Sequence, residues 1–146
     1  MAVLIDSNVI ISLLIQSEKT QDAKEILLKV TDQPVTILNV IEEVIYVGLS
    51  LIYDCRGFKL RDEIRKGLND QSTFFLNNLR YFIEEFEIKL IYPPDDLNLL
   101  FDTITTYRLL PNDALIAATC KHYGIKKIAT FDDDFKRVDF LEVIEV

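Results

Sequence analysis

The sequence predicts an α/β protein on a mainly parallel sheet. Three observations lead there. Short runs of branched apolar residues recur along the chain and read as strands. Segments of helical periodicity separate them, and strand alternating with helix is the pattern of layered α/β folds. The length of 146 residues, 49% of them apolar, suits one domain, 1–146, with a real core.

The first strand is Val3–Ile5 and the second Val35–Leu38, with Ile88–Tyr92 and Lys127–Phe131 as the third and fourth. Leu141–Val146 fits a C-terminal edge strand. Ahead of the second strand, Ala23, Ile26, Leu27 and Val30 stand at helical spacing within Asp22–Val30. Glu42–Tyr53 is apolar on most faces and predicts a buried helix. Asn39 is placed to cap it, with Glu42 three residues on completing a capping box. Leu60, Ile64 and Leu68 suggest a short helix within the otherwise unpredictable Asp54–Asn69. Phe75, Leu79, Phe82 and Phe86 form the next stripe, followed by Leu97, Leu100, Phe101 and Ile104, and then by Leu115, Ala118 and Thr119.

Composition excludes several function classes. Sixteen Lys and Arg against 24 Asp and Glu give a net charge of −8, so nucleic acid is not bound by overall charge alone. Cys55 and Cys120 are not a disulfide scaffold, and no C-x-x-C spacing suggests zinc. The longest apolar stretch, Val44–Tyr53, is about half of the ~20 residues a membrane span needs. No secretory signal pattern opens the chain. The expectation is a cytoplasmic protein with no membrane partner.

In parallel sheets, ligands sit beyond the carboxyl ends of the strands. Asp6 ends the first strand, and Asp132, Asp133 and Asp134 follow the fourth. A single Asp there is commonly a helix cap or turn residue. Glu43 opens the helix after the second strand beside Val40, Val44 and Val47, where a carboxylate needs a partner or must reach solvent. Asp113 follows Leu110-Pro111-Asn112, a helix start whose dipole favours an acid. Ala114, Ala117 and Ala118 let a neighbouring backbone come close. Four carboxylates on one rim repel one another, and at least one should have a raised pKa. Such hard oxygen clusters suit Mg²⁺ or Mn²⁺, and metal-assisted hydrolysis of a phosphodiester is the reaction class they predict.

Four stretches, in order from first strand to last, resemble one known family. They are Ile5-Asp6-Ser7-Asn8, Glu43-Val44, Asn112-Asp113-Ala114-Leu115-Ile116-Ala117-Ala118-Thr119 and Thr130-Phe131-Asp132-Asp133-Asp134-Phe135. Together they resemble the PIN domain and, more narrowly, the small stand-alone PIN ribonucleases typified by VapC toxins. The resemblance implies a three-layer α/β/α sandwich on a five-stranded parallel sheet. It implies an endoribonuclease dependent on Mg²⁺ or Mn²⁺, commonly a homodimer inhibited by a small antitoxin. Carried over, it makes Asp6, Glu43, Asp113 and Asp132 the metal-holding quartet, with Asp134 a lesser ligand. Thr130 would support the fourth acid through its hydroxyl, and Ser7 and Asn8 would orient the first. The family often has Ser or Thr where Asn39 stands, and the resemblance says little about Asp54–Phe86.

Arg56, Lys59, Arg61, Arg65 and Lys66 form the densest basic cluster, diluted by Asp62 and Glu63. They read either as a solvated helix face or as a phosphate-contacting strip for RNA. Lys121, Lys126 and Lys127 are a second such group. His122 lies about 180° around its helix from Asp113 and should be a surface residue. Cys120 should be a buried thiol and Cys55 a free one. The Phe75–Phe86 stripe suits core or dimer interface better than base stacking, since only Arg80 interrupts it with positive charge. Two rival readings are weighed. A catalytically inactive PIN fold docking a protein or RNA would not need the complete quartet. A phosphatase-like domain would want a second acid at position 8, which is Asn, and a receiver would want its phospho-acceptor Asp after a middle strand, whereas Ile88–Tyr92 is followed by two prolines and then Asp95-Asp96.

Overall fold

The computed structural model describes residues 1–146. Five strands, β1 (Ala2–Ile5), β2 (Gln33–Ile37), β3 (Lys89–Ile91), β4 (Lys127–Ala129) and β5 (Glu142–Ile144), form one sheet in the order β3-β2-β1-β4-β5. Every pairing is parallel. The register sets Leu4 against Val35 on one side and Ile128 on the other. Those three side chains are buried, as parallel strands covered on both faces require.

Seven helices connect the strands: α1 (Ser7–Leu14), α2 (Thr20–Leu28), α3 (Leu38–Tyr53), α4 (Gly57–Arg65), α5 (Asp70–Glu85), α6 (Leu97–Tyr107) and α7 (Pro111–Tyr123). From β1 through β2 to β3 the chain steps in one direction across the sheet. From β3 it crosses back over β1 to β4 and continues to β5. Parallel crossovers are right-handed in nearly all proteins, so the reversal puts α1–α5 on one face and α6 and α7 on the other. Helix packing agrees: α1 contacts α2, α3 and α5, and α3 contacts α4 and α5, while α6 packs on α7. The result is a three-layer α/β/α sandwich. Neighbouring strands leave the sheet in opposite directions at β1 and β4, so a crevice opens beyond their carboxyl ends.

The core is one cluster of 27 buried residues, from Val3 and Leu4 on β1 to Phe135, Val138 and Leu141 near the C-terminus. Phe75, Leu79 and Phe82 on α5 belong to it, as their stripe predicts, while Phe86 lies at the surface against Phe82. Gly48 lets α3 and α5 meet. A Cβ there would lie 2.1 Å from Cζ of Phe75.

The structure adds one element to the sequence reading and corrects it at two places. α1 follows β1 at once, in a stretch to which the sequence reading assigned no element. α3 begins at Leu38, so Asn39 stands inside its first turn rather than capping it, and no side chain caps that helix. α3 is also less buried than its composition predicts, with Tyr46 and Leu51 exposed. The predicted short helix in Asp54–Asn69 is α4, which buries Leu60. No helix is long and apolar enough to cross a membrane.

Candidate metal centre

The crevice at the carboxyl ends of β1 and β4 is a cleft of about 380 Å³. Asp6, Ser7, Asn8, Glu43, Asn112, Asp113 and Asp132 supply its polar walls, and Ile11, Val44, Val47 and Leu110 its apolar ones. The four predicted acids therefore face one space.

Asp6 is 3% exposed and sits at the N-cap of α1. Its Oδ1 accepts the Ser7 backbone N–H at 2.7 Å, and its Oδ2 accepts the Thr130 hydroxyl at 2.7 Å. It thus has both the structural job common for an Asp at a strand end and a place in the cleft. Burial raises its pKa. The hydrogen bonds from Thr130 and Ser7 oppose that rise, and the charges of Glu43 and Asp132 add to it.

Thr130 joins the two strand ends. Its hydroxyl gives its proton to Asp6 and accepts the Asp132 backbone N–H at 3.0 Å and the Asn8 side-chain amide at 3.2 Å. Asn8 completes the link, its Oδ1 accepting the Phe131 N–H at 3.1 Å. Asp132 caps a short 3₁₀ helix, Asp133–Arg137, by accepting the Asp134 N–H at 2.9 Å.

Asp113 lies in the first turn of α7, two residues after Pro111 at its start. Buried Ala114, Ala117 and Ala118 seat that helix closely against its neighbours. The Asp113 carboxyl is pushed up to about 7. Desolvation contributes most, then the charges of Asp6 and Asp132, a hydrogen bond shared with Asp132, and the charge of Glu43. Near neutral pH this group holds a proton about half the time.

Glu43 is exposed at the lip, but its Oε2 accepts the Ser7 hydroxyl at 2.8 Å and the Asn112 amide at 3.3 Å. Those donors are the partners that a carboxylate beside Val44 and Val47 needs. Asn112 is the polar residue that sequence reasoning passed over. It reads as a helix-start residue, and only the fold brings it within reach of Glu43, 69 positions earlier.

Asp134 stands apart from the cleft wall. Its carboxylate meets the Arg137 guanidinium at 2.8 Å, yet its oxygen lies within 4.8 Å of oxygens of both Asp113 and Asp132. These three donors are all hard carboxylate oxygens. Mg²⁺ and Mn²⁺ take such ligands at about 2.0–2.1 Å in an octahedron, which places ligand oxygens about 3–4 Å apart. Three hard oxygens this close together are a donor set of the kind a hard dication takes.

The predicted basic residues lie elsewhere. Arg56, Lys59, Arg61, Arg65 and Lys66 are on or beside α4 and do not line the cleft. Lys121, Lys126 and Lys127 sit where α7 ends and β4 begins, at the opposite edge of the sheet from the acids. His122 is exposed in the last turn of α7, with its ring edge on Tyr123. Cys120 is buried and Cys55 partly so, both as free thiols.

Comparison with known proteins agrees with this architecture. The family model described as PIN domain matches residues 3–141. Ribonuclease VapC6 of Methanocaldococcus jannaschii is 36% identical over 152 aligned positions, covering 98% of this chain and 96% of that protein. Ribonuclease VapC2 of the same organism is 56% identical over 66 residues, 42% of this chain and 44% of that relative. Among solved structures, VapBC2 from Rickettsia felis, bound to a DNA fragment from its promoter, superposes with a TM-score of 0.64. It covers 98% of this chain and 97% of that one at 17% identity, a likeness of fold. With the match running from β1 through β4 and the 3₁₀ helix, and a curated relative aligned over nearly its whole length, the chain belongs to the PIN domain family.

Proposed function

We propose that this protein is a Mg²⁺- or Mn²⁺-dependent endoribonuclease, the toxin of a toxin–antitoxin pair. One observation carries the reading. Asp6, Glu43, Asp113 and Asp132 face a single cleft at the point where the sheet reverses direction, and their mutual repulsion and burial hold Asp113 at about 7. The family match and two relatives named as ribonucleases support it.

The residues divide the work. Thr130 and the Ser7 N–H fix the Asp6 carboxylate and favour its charged form. Ser7 and Asn112 hold Glu43 at the lip, and Asn8 ties the Asp6 turn to Phe131. The proton shared between Asp113 and Asp132 must leave before both offer charged oxygens. Bound Mg²⁺ or Mn²⁺ would be held by Asp113 and Asp132, with Asp134 within reach on one side and Asp6 and Glu43 on the cleft wall, and would supply Lewis-acid polarisation of a phosphoryl oxygen and a more acidic water. Leu110, Val44 and Val47 keep the rest of the wall dry. Water is the nucleophile in this scheme and the 3′-oxygen leaves with a proton, so the P–O3′ bond breaks and the products carry 5′-phosphate and 3′-hydroxyl ends.

The partners follow from the same reading. RNA is the substrate and a small antitoxin the protein partner, as a VapBC assembly is among the structural neighbours. A chain with those partners acts in the cytoplasm. Leu97 and Phe101, 66% and 56% exposed and one turn apart on α6, suit a homodimer interface.

End-sequencing of RNA cut by the purified protein tests the reading, with Mg²⁺, Mn²⁺ or chelator and with Asp113→Asn as control. The expected result is cleavage that needs the metal, yields the stated ends and vanishes in the variant. Equal cutting by the variant would remove the site assignment. An inert wild type with an intact Mn²⁺ site would leave the reading of a non-catalytic docking module.

A further inference from the structure

We propose that the exposed ring of Phe58, with the Arg61 guanidinium over it and the α4 start anchored in a hollow that shares a wall with the acidic cleft, is a stacking platform for one unpaired RNA base. The inference rests on the ribonuclease reading and adds to it a place where the strand is held.

The anchoring comes first. A second hollow of about 330 Å³ lies beside the cleft, lined by Asn39, Glu42, Glu43, Tyr46 and Asn112. Glu43 and Asn112 also line the acidic cleft, so the two spaces share a wall. The Tyr46 hydroxyl accepts the Gly57 backbone N–H at 2.9 Å. That bond pins the first residue of α4 to the hollow. Phe58 is the next residue, its Cα about 3.8 Å from that of Gly57. Phe58 is thus held next to a residue fixed on the hollow, and a strand leaving the cleft along the hollow is proposed to reach it.

The chemistry of the spot comes second. Single exposed apolar side chains are ordinary, but this one has a particular setting. Phe58 is 75% exposed, and the guanidinium carbon of Arg61 lies 4.7 Å from the ring centroid. One ring face is thereby taken by a cation and the other is open. Asp62 is engaged by Arg61 at 4.0 Å and Arg65 at 3.9 Å, and Glu63 by Lys66 at 3.1 Å. Arg56 and Lys59, the cations nearest the anchored end, have no carboxylate partner. An exposed aromatic ring flanked in sequence by Arg56 and Lys59, in a chain of net charge −8, matches a ligand of alternating phosphates and flat bases. An acidic, apolar protein segment would also match the patch. RNA is favoured because the hollow runs into the cleft assigned to its phosphodiester.

The test uses the full chain and a fluorescein-labelled, single-stranded RNA of roughly 12 nucleotides and mixed sequence. Binding is measured on the Asp113→Asn protein and cleavage on the otherwise native one. Phe58→Ala should weaken binding and raise KM about 5- to 100-fold, the range of one lost base stack, with kcat little changed. Phe58→Tyr should restore both. An abasic site at one position of the RNA should cost the native protein a similar factor and cost Phe58→Ala nothing more. The proposal falls if Phe58→Ala binds and cuts as the native protein does, if it loses kcat rather than affinity, or if it alters only sedimentation or antitoxin binding. If the native protein binds this RNA through Phe58 but never cuts it, the ribonuclease reading fails and the platform stands.

Discussion

Asp113 is held protonated well above the ordinary carboxyl range, and the consequences can be read as a function of pH. Its folded value of about 7 lies above the ordinary 3.8, so the protonated form favours the native state. Its contribution to stability of the metal-free protein is full below about pH 3.8 and is lost as pH rises through 7. Asp113→Asn keeps a neutral group there at every pH. At pH 8 the metal-free variant should therefore be more stable than the metal-free native protein, by about 1–2 kcal/mol once solvent screening of a half-buried group is allowed for. That is a rise in Tm of roughly 3–6 °C, shrinking as pH is lowered toward 4. Saturating Mn²⁺ should reverse the order, because only the native protein gains stability by mass action. Thermal melts of both proteins, with Mn²⁺ and with chelator, check the sign at each pH. The Cys120 thiol is a second buried group with a defined state. Desolvation, with the Asp6 charge adding, pushes it up to about 12, so it is protonated in the native protein. A thiol reagent should label Cys55 first and reach Cys120 only through opening of the fold, and labelling that is rapid at Cys120 in native buffer would contradict its burial.

Two contacts between elements make the site rigid. α3 brings Glu43 to the cleft, and its approach to α5 requires Gly48. Gly48→Ala would set a methyl group against the Phe75 ring and should cost about 1–3 kcal/mol in denaturant unfolding. Adding Phe75→Leu should recover part of it, and an additive pair would mean the clash is not the cause. On the other face of the sheet, Arg137 staples the end of α6 to the 3₁₀ helix. It donates to the Tyr107 carbonyl at 3.0 Å, the Arg108 carbonyl at 2.7 Å and the Asp134 carboxylate at 2.8 Å. Tyr107 donates to Asp139 at 2.7 Å across the same seam. The staple holds the turn into α7, which carries Asn112 and Asp113, against the segment that carries Asp132. Arg137→Ala should lower stability by about 1–3 kcal/mol, and Arg137→Lys should recover little, since an ammonium cannot span three acceptors in a fixed fork. Denaturant midpoints of the three proteins check this. None of these contacts was legible in the sequence. Gly48 is one glycine in an apolar run, and Arg137 one cation in a charged turn. The helices with clean stripes were legible, because Phe75, Leu79 and Phe82 can be buried together only on a helix. α1 was not, since β-branched Val9, Ile10 and Ile11 fit a strand locally and became helical when Asp6 capped them and both ends of the segment were packed.

At the scale of the whole molecule, strand order determines whether the acids meet. Asp6 and Asp132 each follow a strand in the sequence, and that much is local. Their meeting depends on β1 lying beside β4, 122 residues later in the chain, with the register Ile5 to Ala129. Hydrophobic patterning does not state strand order, and the resemblance to a known family implied only a five-stranded parallel sheet with the acids in one metal site. Glu43 and Asp113 were legible as acids at helix starts, but Asn112, whose amide reaches Glu43, was not, because a hydrogen bond between α3 and α7 has no local signature. The central claim is that these distant segments build one site for a single class of ion. Calorimetric titration of the metal-free protein with Mn²⁺, at pH 8 and pH 5.5, tests it most directly. Binding at pH 8, weaker binding at pH 5.5 where Asp113 retains its proton, and loss of binding in Asp113→Asn are the predicted results. Absence of binding at pH 8, or equal affinity in the variant, would contradict the account.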